Sequence, residues 1–565
     1  MTRSQWVARR VDEATAAALQ QRGAPPLLAR ALAARGAQVE DLQEPDLQAL
    51  LPFDTLKGVA QAATLLAEAL SSRKKIVIIA DYDADGATAC AVGLRALRAM
   101  GAEVDYLVPN RITMGYGLTP EVVQLALAKQ PDLLVTVDNG IASVAGVAAA
   151  NALGIPVIVT DHHLPGEVLP DAAAIVNPSQ PGCAFPSKAL AGVGVMFYTM
   201  LALRAELRRR GAWQARPEPN LGALLDLVAL GTVADVVRLD RNNRLLVSAG
   251  LRRLRSGRAS AGLLALYRVA GRDPVRAVSA DLGFVLGPRL NAAGRMEDMT
   301  HGIECLACDD PEAALRYAQK LDAFNRERRE VEGVMQEGAL ARMDALEAGQ
   351  RYTLCLYDPE WHPGVIGILA SRIKDRFHRP VITFAPGTAA DEIRGSGRSI
   401  TGFHLRDALD QVTKQHPDLI LRFGGHAAAA GLTLQACDLA RFEAAFEAVA
   451  RQWLTPGDLA LQVDYDGDVQ PADLTLAMAE ALRAQVWGQG FPEPLFGGRF
   501  AVIQQRVVGE RHLKLKLRQE DRAFDAILFG HATPLPDEIE ALFQLSVNEW
   551  NGNRQLQLEL RHWSV

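Results

Sequence analysis

Short apolar runs alternate with amphipathic segments between residues 75 and 178. The runs are three to six residues long and are bounded by Gly, Pro or Asn, which is typical of buried strands. The segments between them carry apolar residues at helical spacing. This alternation predicts βαβ units, and therefore an α/β fold with a parallel sheet covered on both faces. We predict strands at residues 76–80, 104–109, 133–137, 157–160 and 174–176, and helices at residues 87–100, 120–129 and 143–153.

The pattern changes several times along the rest of the chain. Residues 1–70 are rich in Ala and Leu, and residues 311–346 contain no Pro after the first position, which favours one long linking helix. A second, smaller α/β pattern follows, with strands predicted at 353–357 and 381–384 and helices at 365–377, 405–412 and 438–453. After residue 455, strict alternation predicts a small OB-like β-barrel. The expected regions are a helical cap (1–70), the parallel-sheet domain (71–300), a linking helix (301–348), the smaller α/β domain (349–454) and the barrel (455–565).

Composition narrows the class of protein. The 565 residues are 49% hydrophobic with a net charge of −6, which indicates a globular chain of several domains. No apolar run is long enough to span a membrane, the first ten residues lack a secretory core, and six dispersed cysteines do not suggest disulfides. We therefore expect a cytoplasmic protein that needs no membrane. Residues 201–300 nevertheless hold 17 arginines against 9 acidic residues, and residues 499–522 hold 7 basic residues against 3 acidic ones. Such basic surface can follow a phosphate backbone, although solvated helix faces explain it equally well.

Four segments rich in Asp and His follow apolar runs. They are D-Y-D-A-D-G at 81–86, D-N-G at 138–140, D-H-H at 161–163, and Asp235 within 231–237. We interpret each preceding run as a buried parallel strand. Ligands collect at the carboxyl ends of such strands, and carboxylates gathered there need cations to offset their charge. The sequence therefore predicts a metal-dependent enzyme.

Two other interpretations of residues 81–86 are weaker. An EF-hand calcium loop needs a Glu at its twelfth position, where this chain has Val92, and a strand rather than a helix precedes the loop. Capping of the next helix explains one Asp but not three. Because alternate residues at a strand exit face one cleft, Asp83 and Asp85 are suited to bind one ion each.

The two consecutive histidines should have different roles because their side chains diverge. One imidazole can bind metal while the other faces the substrate, although a single His at such a position usually makes only a local hydrogen bond. A mixed Asp/His site favours Mn²⁺ over the all-oxygen shell typical of Mg²⁺. Two ions about 3.5–4 Å apart would share a carboxylate and activate water for in-line attack at phosphorus.

The ordered motifs D-Y-D-A-D-G, V-D-N-G, D-H-H and G-T-V-A-D-V-V resemble the DHH phosphoesterase superfamily. Further motifs at 287–296, 361–372 and 424–426 resemble its bacterial branch of single-stranded-DNA exonucleases, over nearly the whole chain. The resemblance implies a DHH domain, a linking helix, a DHH-associated domain and an OB-like barrel. It implies that Asp138 bridges two ions and that His163 acts near the leaving group or scissile phosphate. The implied metal ligands are Asp83, Asp85, Asp138, His162 and Asp235.

One position departs from the superfamily pattern. Many members acting on small substrates have a His four residues before the Asp that corresponds to Asp83, and this chain has Ile79 at that position. Asp81 is the candidate for that vacant ligand role.

Candidate contacts to a polynucleotide lie in three regions. Tyr116 is a candidate for base stacking, and glycine-rich turns at 395–399 and 424–426 are candidates for phosphate binding. The resemblance implies that the DHH-associated domain holds a terminal 5′ phosphate. The candidate substrate-binding residues are Arg111, Tyr116, Arg289, Asn291, Ser371, Arg372, Arg398, Ser399, Gly425 and His426, and the barrel adds Arg506, Arg511, Lys514 and Lys516.

The resemblance implies a hydrolase that removes nucleotides from single-stranded DNA in the 5′-to-3′ direction, in DNA repair and recombination. It would use two Mn²⁺ ions, with Mg²⁺ as a substitute. We expect a monomer in the bacterial cytoplasm, associated with the nucleoid, with a single-stranded-DNA-binding protein and a RecQ-type helicase as partners. The alternatives are a DHH phosphodiesterase for short oligoribonucleotides or cyclic dinucleotides, and a non-catalytic replication scaffold.

Overall fold

A computed structural model describes residues 5–42, 46–110, 114–214, 216–345, 351–387, 389, 391–550 and 552–565, except the side chains of 342–345 and 550. The chain divides into two compact units. The first unit comprises Ala8–Asp322 together with Asp464–Val565, and the second comprises the N-terminal residues up to Val7 together with Ala323–Val463.

A short strand crosses the sequence boundary between the two units, and three helices of the first unit follow it. Strand β1 (Gln5–Ala8) pairs with a second short strand at Gln462–Tyr465, and the two form a sheet that the sequence did not predict. Helices α1 (Glu13–Gln21), α2 (Pro26–Ala33) and α3 (Val59–Ser71) follow. Asp12 caps α1 by accepting hydrogen bonds from the backbone N–H groups of Ala14 and Thr15. The predominantly helical character of this region agrees with its composition.

The central sheet of the first unit has five parallel strands in the order β3-β2-β4-β5-β6. All residues of β4 and β5 are buried, as expected for strands covered on both faces. The carboxyl ends of β2, β4 and β5 therefore meet at one edge. In chain order the elements are β2 (Lys75–Ala80), α4 (Ala84–Ala99), β3 (Glu103–Leu107), α5 (Pro120–Ala126), β4 (Leu133–Val137), α6 (Val144–Ala152), β5 (Val157–Thr160) and β6 (Ala174–Val176).

Helices form the rest of this domain. They are α7 (Gly192–Arg209), α8 (Leu225–Ala234), α9 (Arg241–Arg255), α10 (Ala261–Val269), α11 (Ser279–Asp281), α12 (Gly287–Met296), α13 (Thr300–Ala307) and α14 (Pro311–Ala345), with a π-helical turn (Leu282–Leu286) between α11 and α12. The prediction of a strand before Asp235 is wrong, because those residues are the last turn of α8. A short buried helix and a buried strand are both continuously apolar, so periodicity does not separate them. The long linking helix is present as α14.

The second unit contains a five-stranded sheet in the order β10-β11-β9-β8-β7, in which only β7 and β8 are parallel. Its elements are β7 (Leu354–Tyr357), α15 (Ile366–Phe377), β8 (Val381–Pro386), β9 (Glu392–Arg398), α16 (Leu405–Gln415), β10 (Arg422–Gly425), β11 (Ala429–Gln435) and α17 (Leu439–Trp453). The predicted glycine-rich turn at 395–399 is wrong for most of its length, because residues up to Arg398 lie in β9. A Cβ at Gly395 would lie 2.6 Å from Leu432 Cδ2 and from Phe384 Cε1, so packing explains this glycine.

The chain returns to the first unit with β12 (Gln462–Tyr465), the partner of β1, and α18 (Leu476–Arg483). Five strands then form a closed barrel in the order β13-β14-β15-β17-β16, which confirms the predicted OB-like fold. Leu513, Leu515 and Leu517 are buried, while Lys514 and Lys516 between them lie on the outer face. The strands are β13 (Phe496–Val508), β14 (His512–Gln519), β15 (Arg522–Leu528), β16 (Glu538–Trp550) and β17 (Asn553–Ser564). In the part of the chain that the structure describes, no helix has the length and apolarity needed to cross a membrane.

Candidate metal centre

The loop between β2 and α4 is fixed by hydrogen bonds to its backbone. Asp83 caps α4, and its Oδ1 accepts from the N–H groups of Asp85 at 2.9 Å and Gly86 at 3.0 Å. Asn291 Oδ1 accepts from the Ala84 N–H at 2.8 Å. A carboxylate at a helix N-terminus is also favoured by the helix dipole. Capping and metal binding are compatible, because the second oxygen of Asp83 takes no part in these two hydrogen bonds.

Asp85 lies in the first turn of α4 and is buried. Its two oxygens accept hydrogen bonds from the first turn of α7, Oδ2 from Gly192 N–H at 2.6 Å and Oδ1 from Val193 N–H at 2.9 Å. The N-terminal end of α7 therefore binds the Asp85 carboxylate, whereas the first N–H groups of α4 donate to Asp83. Burial, together with the charge of Asp83, raises the pKa of Asp85 to about 7.

Asp138 follows β4 and takes a left-handed backbone conformation with φ of 62°. Such a conformation is uncommon outside glycine and is often found at functional positions. Its backbone N–H donates to Thr160 O at 3.0 Å, which ties the residue to the end of β5. The Gly192 position lies against its side chain, since a Cβ there would be 2.6 Å from both Cβ and Oδ1 of Asp138. Asp138 is thus held in place by its backbone and by close packing.

His162 faces three of the carboxylates. Its Nε2 lies 3.1 Å from Asp138 Oδ1, 3.5 Å from Asp235 Oδ2 and 3.9 Å from Asp85 Oδ2. Burial, together with the positive charge of His163, lowers the pKa of His162 to about 4. A neutral imidazole is the form that binds a metal ion.

His163 differs from its neighbour in protonation. Its Nδ1 lies 2.8 Å from Asp161 Oδ1, and the same oxygen accepts the N–H groups of His162 and His163. Burial opposes protonation of His163, but the hydrogen bond and charge of Asp161 outweigh it and raise the pKa to about 8. This pKa favours the cationic form of His163 at neutral pH in the metal-free protein, and the roles of the two histidines stay predictions.

Tyr116 closes one side of the cluster. Its hydroxyl donates to the Asp138 carbonyl oxygen at 3.0 Å and lies 3.1 Å from His163 Nδ1. Its ring meets the His163 ring edge-on, with 5.6 Å between the centroids, while 44% of the residue is exposed. One part of Tyr116 thus supports the cluster, and the exposed part is available to a ligand.

The donor set fits divalent cations. Three groups of side chains each offer ligand atoms within 4.8 Å of one another. They are Asp138–His162–His163, Asp85–His162–Asp235 and Asp81–Asp83–Asp138. Among the described residues, Asp138 Oδ1, Asp235 Oδ2 and His162 Nε2 are buried and have no hydrogen-bond partner.

The electrostatics of the cluster also indicate a cation site. Burial, followed by the charge of Asp85, raises the pKa of Asp138 and of Asp235 well above the usual carboxyl range. Buried carboxylates at this spacing repel one another, and divalent cations remove that repulsion. The six predicted metal ligands lie together, and their individual roles remain predictions.

The other predicted site residues are more dispersed. Asn291 lies beside Asp83. Arg289 is buried and donates hydrogen bonds to Asp322 Oδ1 and to the Val285 carbonyl oxygen, so its observed contacts stabilise the fold. Arg111 lies outside the described residues. In the second unit are Ser371, Arg372, Arg398, Ser399, Gly425 and His426, and on the barrel are Arg506, Arg511, Lys514 and Lys516.

Sequence reasoning missed two supporting features of the centre. Asp161 was part of a recognised motif, but its carboxylate received no role, although it accepts hydrogen bonds from Ile141 N–H and from both histidines. The backbone N–H groups of Gly192 and Val193 were also missed. The available signal was the pair of glycines at 192 and 194 at the start of an apolar helical segment.

The parallel sheet, the carboxylate cluster at its edge and the closed barrel define a protein of the DHH class. Residues 75–232 match the N-terminal domain of the DHH family, residues 350–454 the DHHA1 domain, and residues 465–562 the RecJ OB domain. The single-stranded-DNA-specific exonuclease RecJ of Dickeya dadantii is 53% identical over 95% of this chain and 96% of its own. The chain belongs to the RecJ family.

Solved structures agree with this assignment. RecJ of Thermus thermophilus in complex with Mn²⁺ has a TM-score of 0.83 and 33% identity, and the match covers all of this chain and 79% of that one. The same protein in complex with Mg²⁺ has a TM-score of 0.76 and 31% identity over 99% of this chain and 78% of that one. These matches confirm the order of DHH domain, DHH-associated domain and barrel.

Proposed function

We propose that this chain is a divalent-metal-dependent exonuclease that hydrolyses single-stranded DNA from the 5′ end, in DNA repair and recombination. The observation that carries the proposal is the buried carboxylate–imidazole cluster at the carboxyl edge of the sheet. The relatives named as single-stranded-DNA-specific exonucleases, and the solved RecJ structures with Mn²⁺ and Mg²⁺, support the substrate and the cofactor.

Two ions would be held by the predicted ligand set, with Asp138 shared between them. Asp138 suits the shared role because its carboxylate belongs to two of the three ligand groups. When bound, such ions neutralise phosphate charge and lower the pKa of water, so that hydrolysis proceeds near neutral pH. The remaining ligands are Asp83, Asp85, His162 and Asp235, with Asp81 as a sixth candidate.

His163 would supply the proton in the reaction. Hydrolysis forms a bond between a water oxygen and phosphorus, and it breaks the bond from phosphorus to the 3′ oxygen of the terminal nucleotide. Because Asp161 holds the His163 Nδ1–H, the Nε2–H of the cationic ring is the proton available to that leaving oxygen. Water is the nucleophile and the shortened strand keeps a new 5′ phosphate.

Recognition of the terminal 5′ phosphate is proposed for the second unit. The hydroxyls of Ser371 and Ser399 already donate to the Gly367 and Phe403 carbonyl oxygens. Arg372 and Arg398 also have partners, Glu332 and the Gly397 carbonyl oxygen, but their positive charge favours a phosphate, and His426 after Gly425 is the third candidate. On the barrel, Arg506 and Lys514 are opposite each other in adjacent strands, beside Arg511 and Lys516, and would follow the strand backbone.

The wider biological context rests on the family resemblance alone. We propose the five regions set out from the sequence as domains, action as a monomer in the cytoplasm at the nucleoid, and cooperation with a single-stranded-DNA-binding protein and a RecQ-type helicase. The residues matched by the three family domains fall within three of those regions, which supports the division.

Substrate choice and direction are tested together with one set of strands. A long single strand labelled at either end, with or without a 5′ phosphate, is compared with a dinucleotide and a cyclic dinucleotide in Mn²⁺ and in Mg²⁺. We expect the 5′ label to appear first as a mononucleotide, at a rate that the 5′ phosphate increases. Cleavage of only the short substrates would contradict the proposal, and so would early release of the 3′ label.

A further inference from the structure

Phe284 is an unusually exposed aromatic residue. It is 77% exposed. Among the large apolar side chains that the structure describes, only that of Val565, the last residue, is more exposed. Phe284 lies in the π-helical turn, whose first and last residues, Leu282 and Leu286, are buried. π-Helical turns are rare and are frequently found at functional sites.

The π-helical turn packs against the end of α8 that carries Asp235 of the metal centre. A Cβ at Gly283 would lie 3.2 Å from Val233 Cγ1, and one at Gly287 would lie 3.0 Å from Ala234 Cβ. These two glycines allow the turn to approach α8 closely. Phe284 therefore directly follows a glycine that packs against Val233, which is two residues before Asp235.

A second exposed apolar residue, Val236, directly follows Asp235 in the chain. Val236 is 62% exposed and has a φ of 61°, a conformation in which a β-branched residue is strained. Single exposed apolar residues are common on protein surfaces. Here one of them follows the partly buried Asp235 in a strained conformation, and the other lies in a π-helical turn that packs against the two residues before Asp235, which is a more specific arrangement.

The turn is also tied to the opposite side of the metal centre. Arg289 Nη1 donates to the Val285 carbonyl oxygen at 2.6 Å, while its Nε donates to Asp322 Oδ1 at 3.0 Å. Two residues later in α12, Asn291 accepts the Ala84 N–H beside Asp83. The hydrogen bonds of one helix therefore fix both the Phe284 turn and the loop that carries Asp83.

We propose that Phe284, in the turn that packs against the residues preceding Asp235, is a stacking contact for a base of the single strand. This inference rests on the proposed function and adds a residue that selects the substrate. An aromatic ring stacks on any base, so the contact would be independent of sequence. In a duplex the base faces are already stacked on their neighbours, so such a contact would favour single strands over duplex ends.

The test compares Phe284→Ala with Phe284→Tyr and with Leu153→Ala. Leu153 is an exposed apolar residue between α6 and the start of β5, at the opposite edge of the sheet from the metal centre. We expect Phe284→Ala to raise KM for a long single strand by about 5- to 150-fold, as for loss of one stacked base, with kcat within about twofold. Phe284→Tyr keeps an aromatic ring and should have the KM of the wild type. Leu153→Ala should leave KM and kcat unchanged.

A scan with abasic nucleotides shows whether the contact is to a base. Strands with a single abasic nucleotide at successive positions should reveal one position where wild-type KM rises by a similar factor. That position should have no further effect in Phe284→Ala. An unchanged KM in Phe284→Ala, or an abasic profile identical to that of the wild type, would overturn the inference. Failure of the wild type to degrade single strands would instead overturn the proposed function.

Discussion

The substitution Gly192→Ala adds one methyl group against the side chain of Asp138 in the metal centre. Gly192 begins α7, and its backbone N–H donates to Asp85 Oδ2 at 2.6 Å. The new Cβ would lie 2.6 Å from Asp138 Cβ and Oδ1 and 2.8 Å from Cγ. The methyl group thus disturbs two proposed metal ligands without changing the charge of the site.

The size of the effect follows from these distances. Ordinary van der Waals contact begins at 3.4 Å, so Asp138 and Gly192 must separate by about 0.8 Å. Asp138 cannot easily move, because it is buried and its backbone is tied to Thr160. Displacement of a reacting group by about 1 Å costs about 100-fold in rate. Overpacking of this kind also costs about 1–3 kcal/mol of folding free energy.

The assay is steady-state hydrolysis of a long single strand, with Mn²⁺ affinity measured by calorimetry. We expect kcat to fall by about 100-fold and Mn²⁺ to bind more weakly. Gly194→Ala, in the same helical turn, is the matched control, because its Cβ would meet only the flexible end of Leu190 at 3.2 Å. If Gly192→Ala kept wild-type kcat and Mn²⁺ affinity, Asp138 would not be the residue on which the chemistry depends.

Four further predictions concern the groups around the centre. Asp161→Asn should lower the pKa of His163 below about 8 in the metal-free protein, since the raising charge is lost, and NMR titration of the imidazole would detect this; an unchanged titration would refute it. Asn291→Ala should cost about 1–3 kcal/mol in urea unfolding, because the Ala84 N–H loses its acceptor; a stability equal to that of the wild type would argue against this role. The pKa of Asp85 is raised to about 7, so without metal its carboxyl is mostly protonated below that pH. The apparent Mn²⁺ affinity should therefore rise with pH up to about 7, and Mn²⁺ binding should release protons. The same raised pKa predicts that the metal-free protein loses stability as pH rises from the ordinary Asp range through about 7, which thermal unfolding at several pH values would show. A pH-independent Mn²⁺ affinity would contradict the first of these two predictions, and a pH-independent stability would contradict the second.

The parallel sheet was predictable because its strands and helices differ in both length and period. All five predicted strands exist, with ends that differ from the prediction by no more than two residues. The clustering of the motif carboxylates followed from that topology, since β2, β4 and β5 end at one edge. Resemblance to the superfamily supplied the division of roles, which strand patterns alone do not contain.

The errors occurred where packing rather than local pattern decides the structure. Asp235 reaches the cluster from the end of a buried helix, which has no period that distinguishes it from a buried strand. Gly395 suggested a turn but makes room for Phe384 and Leu432 inside a sheet. Arg289 donates to Asp322 and to a backbone carbonyl, which its motif did not indicate, and its contact with phosphate stays a prediction. In each case the deciding partner is distant in sequence.

The central claim is that the buried cluster holds two divalent cations that share Asp138. Its most direct test is the number of Mn²⁺ ions bound per chain, measured for the wild type and for Asp138→Ala after complete removal of metal. We predict two ions in the wild type, and in the variant the loss of at least one ion together with the loss of hydrolysis. Binding of two ions by folded Asp138→Ala with wild-type hydrolysis of single-stranded DNA would contradict the account.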